Sequence, residues 1–348
     1  MFTAATTRTG TTSNATGNGQ PTMRAVVQDT YGSAETLQLR DVARPAPGDG
    51  EVLVRVRAAG LDRGVWHVMT GLPYLVRVVV PTMGLRRPKA PIRGMDLAGQ
   101  VEAVGRGVAR FRPGDAVFGW TEGGSYAEYT SVPEDHLVPM PANLTFEQAA
   151  AVPISGLAAL QGLRDVGEVQ AGQRVLVIGA AGGVGSFAVQ LAKAFGARVT
   201  GVAGPTQVEL VRAIGADEVV DYTREDVTDG SRRWDLILDT AGHRSLSRLR
   251  RALSPTGTLV IVGSEGRGRW MGGFDRQLRA VALSRFVGQR LRMLSSTPRR
   301  DDLETLRELL EAGKVTPLLD RTFPLDQVRQ AIGHLLAGGG RGKIVITV

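Results

Sequence analysis

The chain has 348 residues, of which 43% are hydrophobic and 22% charged, with a formal net charge of +8 and no cysteine. The length predicts two domains, since a domain usually takes about 150 residues. The absence of cysteine excludes disulfides, Cys-based zinc sites, iron–sulfur clusters and thiol nucleophiles. No apolar run reaches the roughly 18 residues of a membrane-spanning helix, and the first residues lack the pattern of a secretory signal. We therefore expect a cytoplasmic enzyme with no membrane partner.

Most of the positive charge lies in one segment. Between Gly263 and Arg300 nine arginines stand against two acids. The nine are Arg267, Arg269, Arg276, Arg279, Arg285, Arg290, Arg292, Arg299 and Arg300. Such a cluster either meets phosphate groups or forms a solvated helix face. Because few aromatic residues are interleaved for stacking on bases, we expect no nucleic-acid partner.

The first part of the chain predicts a tail and a β-domain. Residues 1–22 contain eight threonines and no acid, and they predict a disordered tail. Short apolar runs separated by Gly and Pro then indicate a barrel of strands rather than helices. The predicted strands are Ala25–Val27, Val52–Val56, Leu97–Val104 and Asp115–Phe118. The exception is Tyr74–Pro91, which is apolar and then basic; long excursions of this kind often form lids or substrate loops.

After Leu144 strands and amphipathic helices alternate, which predicts a parallel sheet with helices on both faces. The predicted strands are Arg174–Ile178, Arg198–Val202, Glu218–Val220, Asp235–Asp239, Thr258–Val262 and Leu291–Leu294. The predicted helices are Gly183–Phe195, Gln207–Ile214, Ser245–Leu253 and Leu303–Ala312. A last strand, Lys343–Val348, can return to the first domain.

A glycine-rich turn follows the first strand of this alternating part. The strand ends at Ile178, and Gly179-Ala180-Ala181-Gly182-Gly183-Val184-Gly185 leads directly into a helix. This is the context that a dinucleotide-binding fingerprint requires. Gly182 lets the backbone approach a pyrophosphate, and Gly185 lets the helix pack on the strand. Ala180 replaces the first glycine of the fingerprint, and we predict that Ala180–Gly185 binds the phosphates of a nucleotide.

The next strand indicates which nucleotide is bound. NAD-binding sites usually place an acid about 20 residues further on, where it holds the ribose 2′-hydroxyl. Here the strand is followed by Ala203-Gly204-Pro205-Thr206, which contains no acid. The missing charge permits a 2′-phosphate, with Thr206, Gln207 and Tyr222 as candidate contacts. We predict NADPH as the cofactor, with NADH as the alternative.

Motifs spread over residues 23–348 resemble the zinc-independent branch of the medium-chain dehydrogenase/reductase superfamily, the quinone oxidoreductase-like proteins. They are Met23–Val27, Gly94–Gly99, Phe111–Val117, Gly123–Tyr129, Ala180–Gly185, Gly215–Asp217 and Gly342–Val345. The resemblance implies an α/β protein in which residues 23–144 and 314–348 form a GroES-like β-barrel catalytic domain. Residues 145–313 would form a Rossmann domain with a doubly wound parallel sheet, and the protein would be a homodimer.

The same resemblance separates the chain from the zinc alcohol dehydrogenases. Asp62 stands where a Cys ligand is expected, and Met95 replaces the His ligand of a Gly-His-Glu motif. The remaining Cys ligands are absent, and the four histidines lack metal-binding spacing. We therefore predict no metal and no zinc.

Three residues are candidates for catalysis, each with a plain structural alternative. Zinc-free relatives usually have Asn at the position of Asp62 and often Tyr at that of His67. His67 could donate a proton, or Asp62 could cap the helix Arg63–Met69 with His67 on its surface. Tyr74 could donate a hydrogen bond to a substrate carbonyl or pack within its loop.

Four more residues are predicted cofactor contacts, and two of them, Tyr222 and Arg341, could instead be plain surface residues. Tyr222 matches a position that meets the adenosine 2′-phosphate in relatives, and Arg341 resembles a late basic residue with a similar role. Gly263 follows the strand Thr258–Val262, and Lys343 follows Arg341 in the closing motif.

These features predict an NAD(P)H-dependent oxidoreductase that transfers a hydride to a quinone or to the C=C bond of an enone or enal, both α,β-unsaturated carbonyl compounds. Without a metal, the developing oxyanion needs hydrogen bonds from the protein, and a conjugated acceptor spreads that charge. The alternative is a catalytically weak NADPH-binding protein that uses its Arg-rich segment on RNA or a protein partner.

Overall fold

The structure is a computed structural model that describes residues 21–79, 83–263, 268 and 270–348. The predicted tail falls outside these ranges except for its last two residues, and Arg267 and Arg269 also lie outside them. Near the start, β1 (Thr22–Val27) and β2 (Gln38–Ala43) form an antiparallel pair. Within the described ranges no helix is long and apolar enough to cross a bilayer.

The first large sheet combines the early strands with the end of the chain. The strands are β3 (Glu51–Leu61), β4 (Asp96–Val104), β5 (Ala116–Trp120), β6 (Tyr129–Pro133), β7 (Leu137–Pro139), β14 (Leu319–Pro324) and β15 (Lys343–Thr347). Their order is β14-β15-β3-β4-β5-β7, with β6 paired to β3. The apolar run Ile344–Ile346 is buried, and β15 lies antiparallel to β3 with Ile344 opposite Leu61. Burial of this run explains why the last strand returns to the first sheet.

The second sheet is parallel throughout and has the order β10-β9-β8-β11-β12-β13. Its strands are β8 (Arg174–Ile178), β9 (Arg198–Ala203), β10 (Glu218–Asp221), β11 (Trp234–Asp239), β12 (Leu253–Ile261) and β13 (Arg290–Met293). This is the doubly wound order of a dinucleotide-binding fold, in which ligands bind beyond the carboxyl ends of the strands where the order reverses. The reversal lies between β8 and β11, and the predicted α/β class is confirmed.

The helices are α1 (Arg63–Thr70), α2 (Val76–Val79), α3 (Phe146–Ala150), α4 (Pro153–Gln161), α5 (Gly183–Ala194), α6 (Val208–Ala213), α7 (Leu246–Ala252), α8 (Phe274–Ser284), α9 (Arg300–Glu311) and α10 (Val328–Ala337). Some of them cover the two faces of the parallel sheet, while α1 and α10 pack against the first sheet and α3 and α4 join the two. One apolar core runs from Phe118 of the first sheet through Ala150 and Leu157 to Val177 of the second. Because α3 and α4 lie within this core, they hold the two sheets together on one side of a cleft. The exact domain limits stay a prediction.

Candidate functional site

The glycine-rich turn lies at the carboxyl end of β8 and has the geometry that a phosphate needs. Gly182 is the N-cap of α5, and its N–H donates to the carbonyl of Gly179. A Cβ on Gly185 would lie 2.1 Å from the carbonyl oxygen of Gly179, so only glycine lets the helix approach the strand this closely. The first N–H groups of a helix have no partner within it and attract anions. The turn can therefore hold a pyrophosphate on the N-terminus of α5.

A cleft of ≈ 840 Å³ opens from this turn between the two sheets. Its lining contains most of the predicted site residues: Asp62, His67, Ala181, Gly182, Gly183, Val184, Ala203, Gly204, Tyr222, Gly263 and Lys343. Ala180 and Gly185 are buried beneath the turn and support it rather than line the cleft. Thr206 and Arg341 are exposed and also lie outside the lining.

Three further lining residues were not predicted as site residues from the sequence: Ser155 comes from α4, and Thr240 and Arg244 follow β11. Gln207, a predicted candidate contact, also lines the cleft and precedes α6. The side chain of Gln207 donates to the carbonyls of Gly339 and Gly340 at 2.9 and 2.8 Å. The sequence predicts Gln207 only as a phosphate contact. The structure shows that its side chain links the segment that follows β9 to the loop containing Gly339 and Gly340.

Strand β9 ends without a carboxylate, as its sequence shows, whereas the neighbouring strand β10 ends with one. Asp221 at the end of β10 stands opposite Ala203. Its Oδ1 accepts hydrogen bonds from the N–H and the hydroxyl of Thr223 at 2.9 and 2.8 Å, and these bonds hold the pKa of Asp221 below its usual value. The exposed Tyr222 follows, with its hydroxyl beside Gly204. One oxygen of the Asp221 carboxylate is thus already engaged by donors of the protein itself, and Asp221 does not line the cleft.

Asp62 caps helix α1. Its Oδ1 accepts the N–H groups of Gly64 at 2.7 Å and Val65 at 3.3 Å. Its Oδ2 is buried, has no hydrogen-bond partner among the described residues, and lies 3.9 Å from Nζ of Lys343. Asp62 therefore caps the helix, which was the structural alternative to catalysis. Its second carboxylate oxygen faces the buried ammonium group of Lys343.

Lys343 lines the cleft, but its ammonium group is engaged by the protein. The residue is buried, and Nζ lies 3.1 Å from Oδ2 of Asp96 and 3.0 Å from Oγ of Ser155. Asp96 is also buried, and its Oδ1 accepts the N–H of Ile154 at 2.9 Å. Burial raises the pKa of Asp96 to about 6 even though the cation of Lys343 opposes the rise. The predicted cofactor contact at Lys343 thus belongs to a buried charge cluster of Lys343, Asp96 and Asp62.

The imidazole of His67 is oriented by the backbone. Its Nδ1 lies 2.7 Å from the carbonyl oxygen of Leu72. A carbonyl oxygen only accepts, so in the neutral ring Nδ1 carries the proton and Nε2 does not. His67 lines the cleft and can accept a hydrogen bond there.

Tyr74 does not reach the cleft. Its ring packs edge-to-face on Trp270 with 5.3 Å between centroids, and the guanidinium of Arg77 lies 4.9 Å from its centre. The structure therefore places Tyr74 within its loop, which is the alternative to a substrate contact.

The described arginines of the basic segment mostly meet acids of the protein itself. Arg290 and Arg292 both contact Glu168 at 2.7 Å, and Arg276 contacts the buried Asp239. Arg299 lies 2.8 Å from Asp302. These internal ion pairs give no support to an RNA-binding surface.

Comparison with known proteins agrees with this architecture. The family described as "Alcohol dehydrogenase GroES-like domain" matches residues 48–142, and "Zinc-binding dehydrogenase" matches residues 214–346. The second description is that of the family, and the resemblance set out above compares Asp62 and Met95 of this chain with metal ligands of zinc-dependent relatives. Among the described residues no group of three or more His, Asp or Glu side chains could hold a metal ion.

Curated relatives and solved structures cover nearly the whole chain. The chain is 32% identical over 339 residues to the quinone oxidoreductase of Homo sapiens, covering 94% of this chain and 98% of that protein. The chloroplast envelope quinone oxidoreductase homolog of Arabidopsis thaliana is 30% identical, with 93% and 98% covered. The quinone oxidoreductase structure from Coxiella burnetii is 28% identical with a TM-score of 0.81, covering 94% of this chain and 100% of that one. The chain therefore belongs to the quinone oxidoreductase-like family of the medium-chain dehydrogenase/reductase superfamily.

Proposed function

We propose that the protein uses NADPH to transfer a hydride to a quinone or to the C=C bond of an enone or enal. The observation that carries this proposal is the cleft at the strand-order reversal, where a glycine turn meets a β9 end without a carboxylate. A 2′-phosphate there would meet no charge from β9, because the segment Ala203–Thr206 is uncharged.

The residues present fit a dinucleotide. Gly183 and Val184 hold the pyrophosphate with their backbone N–H groups, since the N–H of Gly182 already donates to Gly179, and Gly204 with Tyr222 borders the adenosine. Gly263 and Thr240 line the cleft at the ends of the neighbouring strands. When bound, the reduced nicotinamide supplies a hydride to the acceptor. The protein binds and orients both partners and excludes water.

The chemistry of the site favours a conjugated acceptor. Asp62 and Met95 replace metal ligands, so hydrogen bonds alone must stabilise the oxygen that gains charge. In a quinone or enone that charge is delocalised. The names of the human and Coxiella burnetii relatives support a quinone as the first acceptor to test.

The functional unit is a homodimer formed at the free edge of the parallel sheet. Strand β13 ends the sheet, and a groove beside it is lined by Val166, Val281, Leu291 and Met293. Nearby, Phe286 is 84% exposed. An unpaired strand edge next to exposed apolar side chains suits pairing with a second copy. The cytoplasmic location stays a prediction.

The test is turnover by the purified protein, followed by the loss of NADPH absorbance with benzoquinone, an enone and an enal as acceptors. We expect oxidation of NADPH with at least one of these acceptors. The matched variants Gly204→Asp and Gly204→Asn separate charge from size. The Asp variant should bind NADPH about tenfold or more weakly than the Asn variant, because its carboxylate repels the 2′-phosphate. Absence of turnover with every acceptor would overturn the proposal.

A further inference from the structure

Three buried groups form a continuous hydrogen-bonded chain that ends at the cleft. Oδ2 of Asp96 lies 3.1 Å from Nζ of Lys343, and Nζ lies 3.0 Å from Oγ of Ser155. Ser155 lies in the first turn of α4, is 2% exposed, and lines the cleft.

The direction of these bonds leaves one hydrogen unused. An ammonium group can only donate, so Lys343 donates to both Asp96 and Ser155. The oxygen of Ser155 is therefore an acceptor in this pair, and its own O–H hydrogen is available to another acceptor. In the described part of the chain Lys343 is the one hydrogen-bond partner shown for that hydroxyl. A ligand oxygen in the cleft can take the remaining bond.

The other candidate donors are engaged. In neutral His67 the ring proton is on Nδ1 and is directed to the carbonyl of Leu72. The hydroxyl of Tyr126 donates to the carbonyl of Gly60 at 3.2 Å, and burial together with the charges of Asp62 and Asp96 raises the pKa of Tyr126 well above 10. Tyr74 lies outside the cleft lining. Of the other lining hydroxyls, that of Thr240 donates to the carbonyl of Ile178, and that of Tyr222 lies beside Gly204 at the adenosine end of the cleft. We therefore assign the hydroxyl of Ser155 to the acceptor.

The far end of the chain can store a proton. The titratable groups that act on Asp96 are Lys343 on β15, Asp62 at the start of α1 and Tyr126 beside Gly60. The pKa of Asp96 is about 6, because burial and the charge of Asp62 outweigh the attraction of Lys343. A carboxyl group with this pKa can gain and lose a proton near neutral pH.

We propose that Asp96, Lys343 and Ser155 form a proton relay that protonates the acceptor oxygen as the hydride arrives. This inference rests on the proposed function. The acceptor carbon gains a hydrogen with both electrons, and its conjugated oxygen takes a proton as the Ser155 O–H bond breaks. Ser155 takes a proton from Lys343, and Lys343 takes one from the Asp96 carboxyl, which becomes a carboxylate. Hydride on carbon and a proton on one oxygen give a keto tautomer of the hydroquinone, and transfer of a proton from that carbon to the second oxygen through solvent completes the product. Because Asp96 is buried and does not line the cleft, its proton is restored from water in the cleft through Ser155 and Lys343.

The key variant is Ser155→Ala, with Ser155→Thr as the version that keeps the hydroxyl and Ser131→Ala as a distant control. General acid catalysis contributes about 10²- to 10⁴-fold, so kcat of the Ala variant should fall by that order. In the wild type kcat should decline as pH rises through about 6, because the donor Asp96 loses its proton there. That decline should vanish in the Ala variant and persist in the Thr and Ser131 variants. Binding of NADPH by calorimetry should be the same in all four proteins.

A second readout needs neither cofactor nor turnover. Infrared titration of the wild-type protein should show a protonated carboxyl band with a midpoint near pH 6 that is missing in Asp96→Asn. If Ser155→Ala reduces quinone as fast as the wild type and with the same pH profile, the relay is overturned and the proposed function stays intact. A wild type that binds NADPH but reduces no acceptor overturns the proposed function. A wild-type titration that matches that of Asp96→Asn, with no carboxyl band near pH 6, also overturns the relay.

Discussion

Asp62 and Lys343 both line the cleft, and 3.9 Å separates Oδ2 of the acid from Nζ of the base. Since Lys343 is already paired with Asp96 at 3.1 Å, one buried cation faces the buried carboxylate of Asp96 and the buried Oδ2 of Asp62. Such a cluster tolerates the loss of a carboxylate better than the loss of the cation, because loss of the cation leaves two like charges buried together.

The variant Lys343→Met should destabilise the fold strongly and in a pH-dependent way. Leaving buried charge without its partner costs about 3–5 kcal/mol. The attraction that lowers the pKa of Asp96 is lost, so its folded pKa rises above about 6 while the unfolded value stays near 3.8. The folded state then holds a proton that the unfolded chain releases, and stability falls as pH rises through this window. Urea unfolding should show a larger loss at about pH 8 than at about pH 5; an equal loss at both would refute the charge-cluster interpretation.

Asp62→Asn and Asp62→Ala separate the two roles of Asp62. The Asn side chain can still accept the N–H groups of Gly64 and Val65, whereas Ala removes the cap and should cost about 0.5–2 kcal/mol. Both substitutions remove a charge that raises the pKa of Asp96, so that pKa should fall. Thermal unfolding and infrared titration of the two variants give the two readouts. If Ala proves as stable as Asn, the cap does not contribute; if the titration midpoint of Asp96 stays in place, the two carboxylates do not interact.

Gln207→Ala should weaken NADPH binding without unfolding the protein. The variant loses the two hydrogen bonds to Gly339 and Gly340, and the loop that borders the cleft is no longer held against the end of β9. With each bond worth about 0.5–1.5 kcal/mol, affinity should fall about tenfold. Calorimetry against the exposed control Gln38→Ala measures the effect. Equal affinities would show that the contact between Gln207 and this loop has no part in cofactor binding.

The exposed apolar side chains beside β13 give a test of the dimer. Val281→Asp and Phe286→Asp replace side chains that are 43% and 84% exposed, so the fold of one copy should be little affected. In the proposed dimer each substitution would bury an unpaired carboxylate at the interface, and it would therefore shift the equilibrium towards the monomer. Sedimentation velocity should show this shift, while Leu39→Asp on β2 should remain dimeric. A wild-type protein that sediments as a monomer contradicts the proposed assembly.

The sequence predicts those parts of the site that depend on neighbours along the chain. The turn Ala180–Gly185 and the alternation of strands and helices are local patterns, and the structure has both. The sequence also shows directly that the end of β9 at Ala203 has no carboxylate. Local spacing also offers the helix cap as one of two alternatives for Asp62, and the structure has the cap.

The relay could not be predicted in this way. Lys343 and Asp96 are 247 positions apart, and only the return of β15 to β3 brings them together. Ser155 lies in an apolar helix whose sequence predicts burial and nothing about a hydroxyl at the cleft. Tyr74 failed to reach the cleft because its ring packs on Trp270, a partner nearly 200 positions away that local patterns cannot identify.

The most direct test of the central claim is a calorimetric titration of the purified protein with NADPH and, separately, with NADH. The glycine turn and the uncharged end of β9 predict saturable binding of NADPH at one site per chain and weaker binding of NADH. Binding of NADH in preference would contradict the reading of the β9 end. Binding of neither would contradict the assignment of the cleft as a dinucleotide site and, with it, the proposed reaction.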